Sequence, residues 1–172
     1  GHVTTTAYTP ASGGPVTAVS TTNAKKQVST TTVSPAWGVP VAKDEADGAR
    51  HTDLVYDALG RLTGVWLPGN AKNGPDGKAD TSDDTEADTT YAYTLADTGA
   101  NVVKTKELLP NGGYATSYAL YDGLLRSRQT QEPAHGSDGG TVVNETSYDS
   151  RGLVQEKAGP YWIEKSPSAT QV

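Results

Sequence analysis

The stretch that decides the fold is Tyr56-Asp57-Ala58-Leu59-Gly60-Arg61-Leu62, which runs on to Val65-Trp66-Leu67-Pro68-Gly69. An aspartate at this position can accept hydrogen bonds from the backbone two residues on, and Gly60 can take the left-handed conformation that closes a hairpin with a bulge. Residues 61–67 are β-branched, aromatic and polar without helical spacing, which is typical of a strand. Proline cannot donate to a ladder, so the Pro-Gly pair ends that strand. The stretch therefore predicts a β-hairpin.

The same phrase recurs along the chain. Two further copies keep the tyrosine-aspartate pair, at residues 121–126 and 148–153, and they are closed by Pro133 and Pro160. Three weaker copies complete a series that starts at residues 8, 34, 56, 93, 121 and 148. The intervals are 26, 22, 37, 28 and 27 residues. A recurring interval of this size indicates a repeat architecture, here about six hairpins and about twelve strands.

From this pattern we predict an all-β protein without substantial helix. Consecutive antiparallel hairpins are expected to form one curved, twisted sheet, in which each repeat pairs with its neighbours. The repeat region spans residues 3–162, residues 163–172 are expected to be a loose polar tail, and residues 1–2 to be the remnant of a removed tag. The residues expected to build the repeats are Tyr56, Asp57, Gly60, Arg61, Tyr121, Asp122, Tyr148, Asp149 and Gly152.

These phrases resemble the RHS or YD-repeat family. Residues 56–63 are similar to its tyrosine-aspartate repeat in the most typical form, and residues 8–15, 65–69 and 121–126 to the versions found in large secreted actinobacterial members. The resemblance covers about residues 3 to 162.

What the resemblance implies is a hollow β-shell that encloses a polypeptide, usually a C-terminal toxin, as in teneurins and the cocoon of Tc toxin complexes. The chain would then be a fragment of a secreted or cell-surface protein. Two departures stand out: residues 34–38 have lost both Tyr and Asp, and the signature that ends the family's shell and carries its self-cleavage site has no counterpart. Self-cleavage is therefore not expected.

Composition fits a sheet that water reaches on both faces. The hydrophobic share is 34%, with no Phe, Met or Cys, whereas Thr occurs 24 times and Tyr 9 times. Without cysteine, disulfide and thiol chemistry are excluded. The net charge of −6 and the lack of a basic stripe argue against nucleic-acid binding. No apolar run approaches membrane-spanning length.

Residues 70–90 break the repeat and account for its longest interval. One interpretation is a Ca²⁺ loop, because hard cations bind several carboxylate oxygens. Its ligands would be Asp76, Asp80, Asp83 and Asp84. The spacing is not that of an EF-hand. The other interpretation, which we favour, is a solvated and mobile acidic loop between hairpins. No other cofactor is expected.

No constellation of residues predicts catalysis. The three histidines, His2, His51 and His135, lie in no recognisable nucleophile or metal motif. The repeated aspartates could be imagined as paired acids for glycoside cleavage. Because they recur with the fold, they are better interpreted as residues that shape turns. We expect no enzyme.

Two functions from different classes stay open. The first is a structural segment of an RHS-type shell, whose partners are neighbouring repeats, the enclosed C-terminal cargo of the parent chain and, through open sheet edges, further copies of itself. The alternative is an adhesion module that binds glycans through exposed tyrosine and tryptophan. Its candidate residues are Trp37, Trp66, Tyr161 and Trp162, which we expect to pack on the sheet instead.

Overall fold

All regular structure is β. The computed structural model describes residues 3–46, 48, 50–74, 78, 84–136 and 138–172, and in these ranges every element is a strand. The strands are β1 (Thr5–Thr9), β2 (Ala18–Thr22), β3 (Val28–Val33), β4 (Pro40–Asp44), β5 (His51–Tyr56), β6 (Leu62–Trp66), β7 (Thr89–Thr94), β8 (Asn101–Leu108), β9 (Tyr114–Tyr121), β10 (Ser127–Pro133), β11 (Thr141–Tyr148) and β12 (Val154–Ile163). Their order in the sheet is the order of the chain. The prediction of an all-β fold of consecutive antiparallel hairpins is confirmed.

The repeat starts coincide with the ends of the odd-numbered strands. Tyr56, Tyr121 and Tyr148 are the last residues of β5, β9 and β11. The three weaker starts, residues 8, 34 and 93, fall within one residue of the ends of β1, β3 and β7. Each repeat therefore consists of the turn at the end of an odd-numbered strand, the returning strand and the outgoing strand of the next hairpin.

A register shift adjoins each tyrosine-aspartate turn. In β5 and β6, Val55 pairs with Gly64 but Tyr56 pairs with Leu62. The β9–β10 and β11–β12 pairs shift in the same position relative to their turns. These are the bulges that the glycine-closed turn predicts, because an αL residue at the turn leaves one strand with an extra residue.

The chain divides into two compact units, unit 1 (Gly1–Thr89) and unit 2 (Thr90–Val172). Buried apolar side chains are few in both. Among the described residues they are Ala87 in unit 1 and Val102, Leu120 and Val143 in unit 2. The predicted tag remnant, residues 1–2, lies outside the described residues.

The core of unit 2 lies on one face of strands β8 to β11. Cross-strand register places Val102 opposite Leu120, and Leu120 opposite Gln129. Residues directly opposite one another share a face. Gln131 is buried on this face as well, and it lies opposite Val143 in β11. This core is therefore half polar.

The end of unit 2 corrects two predictions. Pro160 does not close its strand, because β12 continues to Ile163. The partners of Val143 and Glu145 are Tyr161 and Ala158, so a register shift leaves Pro160 in a bulge where its missing N–H costs no ladder bond. The second correction is that residues 163–172 are not a loose tail, because main-chain groups beyond Ile163 bind side chains of β10 and β11.

Candidate functional site

The first tyrosine-aspartate repeat forms a closed turn, here called an aspartate turn, over residues 57–61. Asp57 Oδ1 accepts hydrogen bonds from Leu59 N at 2.9 Å and Arg61 N at 3.0 Å, and Asp57 Oδ2 accepts one from Arg61 Nε at 2.7 Å. Gly60 has a φ of +74° and donates its N–H to Asp57 O at 3.0 Å. One carboxylate thus binds both the backbone N–H groups of the turn and the side chain of Arg61, the residue just before the returning strand β6.

The second aspartate turn, residues 122–126, repeats this geometry. Asp122 Oδ1 accepts from Leu124 N at 2.9 Å and Arg126 N at 3.0 Å, and Oδ2 accepts from Arg126 Nε at 2.8 Å. Leu125 stands where the first turn has glycine, and its φ is +58°. That conformation is uncommon for a residue with a side chain. The carboxylate bonds therefore impose the turn even without glycine.

The third aspartate turn, residues 149–153, moves the arginine and keeps the pairing. Asp149 Oδ1 accepts from Arg151 N and from Leu153 N, both at 2.9 Å. Arg151 lies two residues after the aspartate instead of four, yet its Nη2 still reaches Oδ2 at 2.9 Å. Gly152 takes the left-handed position with a φ of +82°.

The surroundings of the three turn aspartates favour the ionised form of each carboxylate over the protonated form. The pKa of Asp57, of Asp122 and of Asp149 is lowered, first by a backbone hydrogen bond from the residue four positions on, and also by the arginine side chain. Donors that bind an ionised carboxylate stabilise it against protonation. A general acid needs the opposite shift. What these groups do in the structure is accept turn hydrogen bonds.

A fourth turn of this kind was missed by sequence reasoning. In residues 23–27, Asn23 Oδ1 accepts from Lys25 N at 2.9 Å and Gln27 N at 3.1 Å, while its Nδ2 donates to Gln27 Oε1 at 3.0 Å. Lys26 has a φ of +64°. The signal in the sequence was an asparagine or aspartate that lies four residues before a long polar side chain. No tyrosine directly precedes Asn23, so the tyrosine-aspartate phrase did not mark this turn.

The tyrosines of the repeats bind the preceding hairpin. Tyr56 Oη donates to Pro40 O at 2.9 Å, and Tyr148 Oη donates to Ser127 O at 2.9 Å. Pro40 and Ser127 are the first residues of the returning strands one repeat earlier. Burial raises the pKa of Tyr56.

In the remaining tyrosine-aspartate repeat, an asparagine supplies the link to the preceding hairpin. Asn101, the first residue of β8, donates its Nδ2 to Asp122 O at 3.1 Å. Tyr121 itself is half-buried at the end of β9, opposite Asn101 in the register. In all three repeats, therefore, the contact joins the turn region to the first residue of the previous returning strand.

The turn glycines also make room for a side chain of the preceding repeat. A Cβ at Gly60 would lie 2.9 Å from Trp37 Cε3, closer than such atoms pack. A Cβ at Gly152 would lie 3.0 Å from Arg126 Nη1. The Arg126 guanidinium also stacks over the Tyr148 ring, 4.3 Å from its centroid. Each of these two glycines therefore serves both its own turn and the contact between repeats.

The candidate sugar-binding aromatics occupy separate places. Trp66 Nε1 donates to Thr85 O at 3.0 Å, and Trp162 Nε1 donates to Gly139 O at 3.0 Å. Tyr161 and Trp162 are consecutive in β12, so their side chains point to opposite faces. Trp37 and Trp66 belong to unit 1, and Tyr161 and Trp162 belong to unit 2.

Trp37 instead lines a cleft in unit 1. This cleft has a volume of about 350 Å³ and its walls include Trp37, Tyr56, Asp53, Asp57 and Lys72. The Trp37 side chain is 52% exposed. An exposed aromatic ring beside carboxylates is a pattern that suits a polyhydroxylated ligand.

His51 lies near this cleft and pairs with two aspartates. Its Nδ1 is 2.7 Å from Asp44 Oδ1 and its Nε2 is 3.2 Å from Asp53 Oδ1. The hydrogen bond with Asp44 is the main cause of a raised pKa for His51. The cross-strand register explains the cluster, because Asp44 lies directly opposite His51 and Asp53 is two residues along the same face. His135 is exposed in the turn after β10.

The acidic insertion is tied to the sheet at its base. Leu67 N donates to Asp88 Oδ2 at 2.7 Å, and Thr85 Oγ1 donates to Ala71 O at 2.6 Å. Ala87 is only 4% exposed. The interpretation of the whole insertion as a solvated loop was therefore wrong for residues 85–88, which are bound to the end of β6 and the residues that follow it.

Most of the predicted Ca²⁺ ligands lie outside the part of the chain that the structure describes. Asp76, Asp80 and Asp83 lie outside the described residues, and Asp84 is exposed. Within the described ranges, histidines and acidic residues form no group of three or more that could hold a metal ion.

Comparisons with known proteins add no family. No protein-family model matches the chain, and a search of curated proteins finds no match. A helix able to span a lipid bilayer is not found in the part of the chain that the structure describes. The function is therefore argued from the repeats and their contacts.

Proposed function

We propose that this chain is a structural repeat segment of a secreted or cell-surface RHS-type protein. In that protein it forms part of a hollow β-shell that encloses a C-terminal, toxin-like polypeptide. The observation that carries the proposal is the contact of each tyrosine-aspartate repeat with the returning strand of the hairpin before it. Repeats that bind only their neighbours are the building principle of extended repeat assemblies.

The exposure of apolar side chains supports the same proposal. Large apolar side chains at the turns and strand ends are open to solvent, including Leu59 at 65%, Leu124 at 75% and Leu153 at 57%. Scattered apolar residues on a surface are ordinary, but Leu59 and Leu124 recur at the same turn position, two residues after the aspartate, which is a feature of the repeat. In a complete shell, neighbouring repeats and the enclosed polypeptide would supply surfaces to cover them.

Protease protection tests this proposal. The coding segment for this chain would be expressed together with its flanking sequence, and the product treated with a nonspecific protease. The downstream polypeptide should resist digestion within the assembly, whereas the same polypeptide expressed alone should be digested. Equal digestion rates in both settings would overturn the proposal of a shell.

One observation favours a second candidate function, a glycan-binding module. The cleft in unit 1 places the half-exposed ring of Trp37 beside Tyr56, Asp53 and Asp57. A glycan array separates the two candidates, since a shell segment should bind none of its sugars. Binding that Trp37→Ala abolishes, while Trp162→Ala in unit 2 leaves it intact, would favour the glycan-binding module.

A further inference from the structure

The buried face of unit 2 carries two glutamine side chains whose amides bind a neighbouring stretch of main chain. Gln129 is 1% exposed and Gln131 is fully buried. They are two residues apart on β10, so both side chains lie on the same face. Glutamine is seldom buried to this degree, and a buried amide is costly unless its donors and acceptor are paired.

The paired groups belong to residues 168–172. Gln131 Oε1 accepts a hydrogen bond from Ser168 N at 2.8 Å, and its Nε2 donates to Thr170 O at 2.8 Å. Gln129 Oε1 accepts from Val172 N at 3.2 Å, and its Nε2 donates to Val172 O at 3.3 Å. Every one of these contacts uses a main-chain atom of the bound stretch, and the contacts recur at every second residue.

The bound stretch is not a strand, because the chain bends at residues 169 and 170. Ser168 Oγ donates to Thr170 O at 3.2 Å and accepts from Thr170 N at 3.4 Å. A side-chain amide carries one carbonyl acceptor and an NH₂ donor, the same groups that a peptide unit offers. The bond from Gln131 Nε2 to Gln129 Oε1, at 2.7 Å, fixes which end of each amide faces the bound stretch. The two side chains therefore present the groups of a peptide unit from the face of the sheet.

Two further residues extend and orient this set of contacts. Thr141 is fully buried, and its Oγ1 donates to Lys165 O at 2.6 Å. Glu145 Oε1 accepts from Gln129 Nε2, and Gln129 Oε1 accepts from Gln131 Nε2 and Val172 N. Thr141 and Glu145 both belong to β11, beside the glutamine strand.

We propose that Gln129, Gln131 and Thr141 form a binding site for polypeptide main chain in the bent conformation of residues 165–172. Residues 165–172 occupy it in cis, and other polypeptides that adopt this bend bind through the same main-chain contacts. That the natural occupant is a stretch of the enclosed polypeptide rests on the proposed function. The chemistry of the site does not depend on it.

The test frees the site and supplies the occupant in trans. The full chain with Ser168→Pro and Val172→Pro lacks both N–H donors, so its own residues 168–172 should leave the glutamines. An acetylated peptide of residues 164–172 should bind this variant and shift the side-chain NH₂ resonances of Gln129 and Gln131. The unaltered chain, whose site is occupied, should bind the peptide at least about tenfold more weakly.

Modified peptides show whether the site recognises the main chain or the side chains of its occupant. N-methylation at the positions of Ser168 and Val172 removes two hydrogen bonds and should weaken binding at least about tenfold. Alanine side chains at positions 170, 171 and 172, with Ser168 kept because its Oγ holds the bend, should weaken it by no more than about threefold. Greater loss from the alanine peptide than from the N-methylated peptide would overturn the proposal.

Hydrogen exchange in the unaltered chain supplies a second test that needs no proline variant. The amides of Ser168 and Val172 should exchange at least about tenfold more slowly than those of Ala169 and Gln171. Gln131→Met, which keeps the size of the side chain, should remove the protection of Ser168 and leave unit 1 unchanged. Equal exchange at all four amides would overturn the site. Failure of the protease-protection experiment would leave these results intact.

Discussion

At the scale of single residues, the chain shows which contacts a sequence can predict. The aspartate turns were predictable because Asp57 and Gly60 act within five residues of one another, through local hydrogen bonds and backbone conformation. The contact between Trp37 and Gly60 and the bond from Tyr56 to Pro40 join different hairpins. Nothing in the local pattern determines them, because they depend on how one hairpin is placed on the next.

The first prediction concerns the charge of Asp57. Asp57→Ala should lower the stability of unit 1 more than Asp57→Asn, because Asn23 holds an equivalent turn with an amide oxygen. The folded-state pKa of Asp57 is lowered from 3.8, so its contribution is fully present above that value and is lost as the pH falls through the folded-state pKa. The gap between the unaltered chain and Asp57→Asn should therefore close in acid.

Urea unfolding followed by tryptophan fluorescence measures both effects. It is run at about pH 7 and again below the ordinary aspartate pKa. The matched control is Asp149→Asn, which makes the same change in an aspartate turn of unit 2. Equal losses for Asp57→Ala and Asp57→Asn at neutral pH would contradict the hydrogen-bonding role of the carboxylate.

The second prediction separates the two roles of Gly60. Gly112 has a φ of +81° and open space where a Cβ would lie, whereas Gly60 has a φ of +74° with Trp37 in contact. Gly112→Ala should cost about 1–2 kcal/mol, the cost of the left-handed conformation for a residue with a Cβ. Gly60→Ala should cost about 1–3 kcal/mol more, because Trp37 must move.

A double-mutant cycle checks the origin of this excess. In a Trp37→Ala background, Gly60→Ala should cost no more than Gly112→Ala does in the unaltered chain. The free energies come from urea denaturation. An excess that persists without Trp37 would show that the glycine is required for another reason.

At the scale of elements, the positions of the hairpins followed from sequence, and three boundaries did not. Turn residues and strand composition are local signals, so the ends of the odd-numbered strands were predicted correctly. Pro160 was misread because a bulge removes the need for its N–H. Residues 85–88 and 164–172 look polar and unstructured, but their main-chain groups bind side chains far away in the sequence.

The third prediction concerns the acidic insertion. Because we interpret its acidic residues as solvated apart from the anchored residues 85–88, Ca²⁺ should leave the melting temperature of the chain unchanged. A specific site would raise it saturably, as any ligand that binds only the folded state does. Differential scanning calorimetry with millimolar Ca²⁺, and with Mg²⁺ as the control, measures this. A saturable rise with Ca²⁺ alone that Asp84→Asn reduces would favour the metal-binding hypothesis.

At the scale of the whole molecule, the decisive feature is that the strand order has two ends, β1 and β12. All five residues of β1 are exposed. A strand at the end of a sheet carries unpaired N–H and C=O groups that another strand can bind. In the proposed shell, these groups would pair with the preceding and following repeats. That requirement links the fold directly to the proposed function.

The register identifies which groups of β1 are free to pair. Val33 N donates to Thr17 O, so the odd-numbered residues of β2 bond to β3 and the even-numbered ones to β1. Thr5 lies opposite Thr22 and therefore bonds to β2. The main-chain N–H of Thr6 consequently points away from β2, to the open edge.

Sedimentation equilibrium of the isolated chain, from micromolar to millimolar concentration, tests the central proposal most directly. The open edge should cause concentration-dependent self-association. Thr6→Pro should weaken it while leaving the fold intact, because proline removes only an outward-facing donor. Thr5→Pro, the matched control, should instead destabilise the pairing of β1 with β2. A strict monomer at millimolar concentration would contradict the proposal and show that the chain is an autonomous domain.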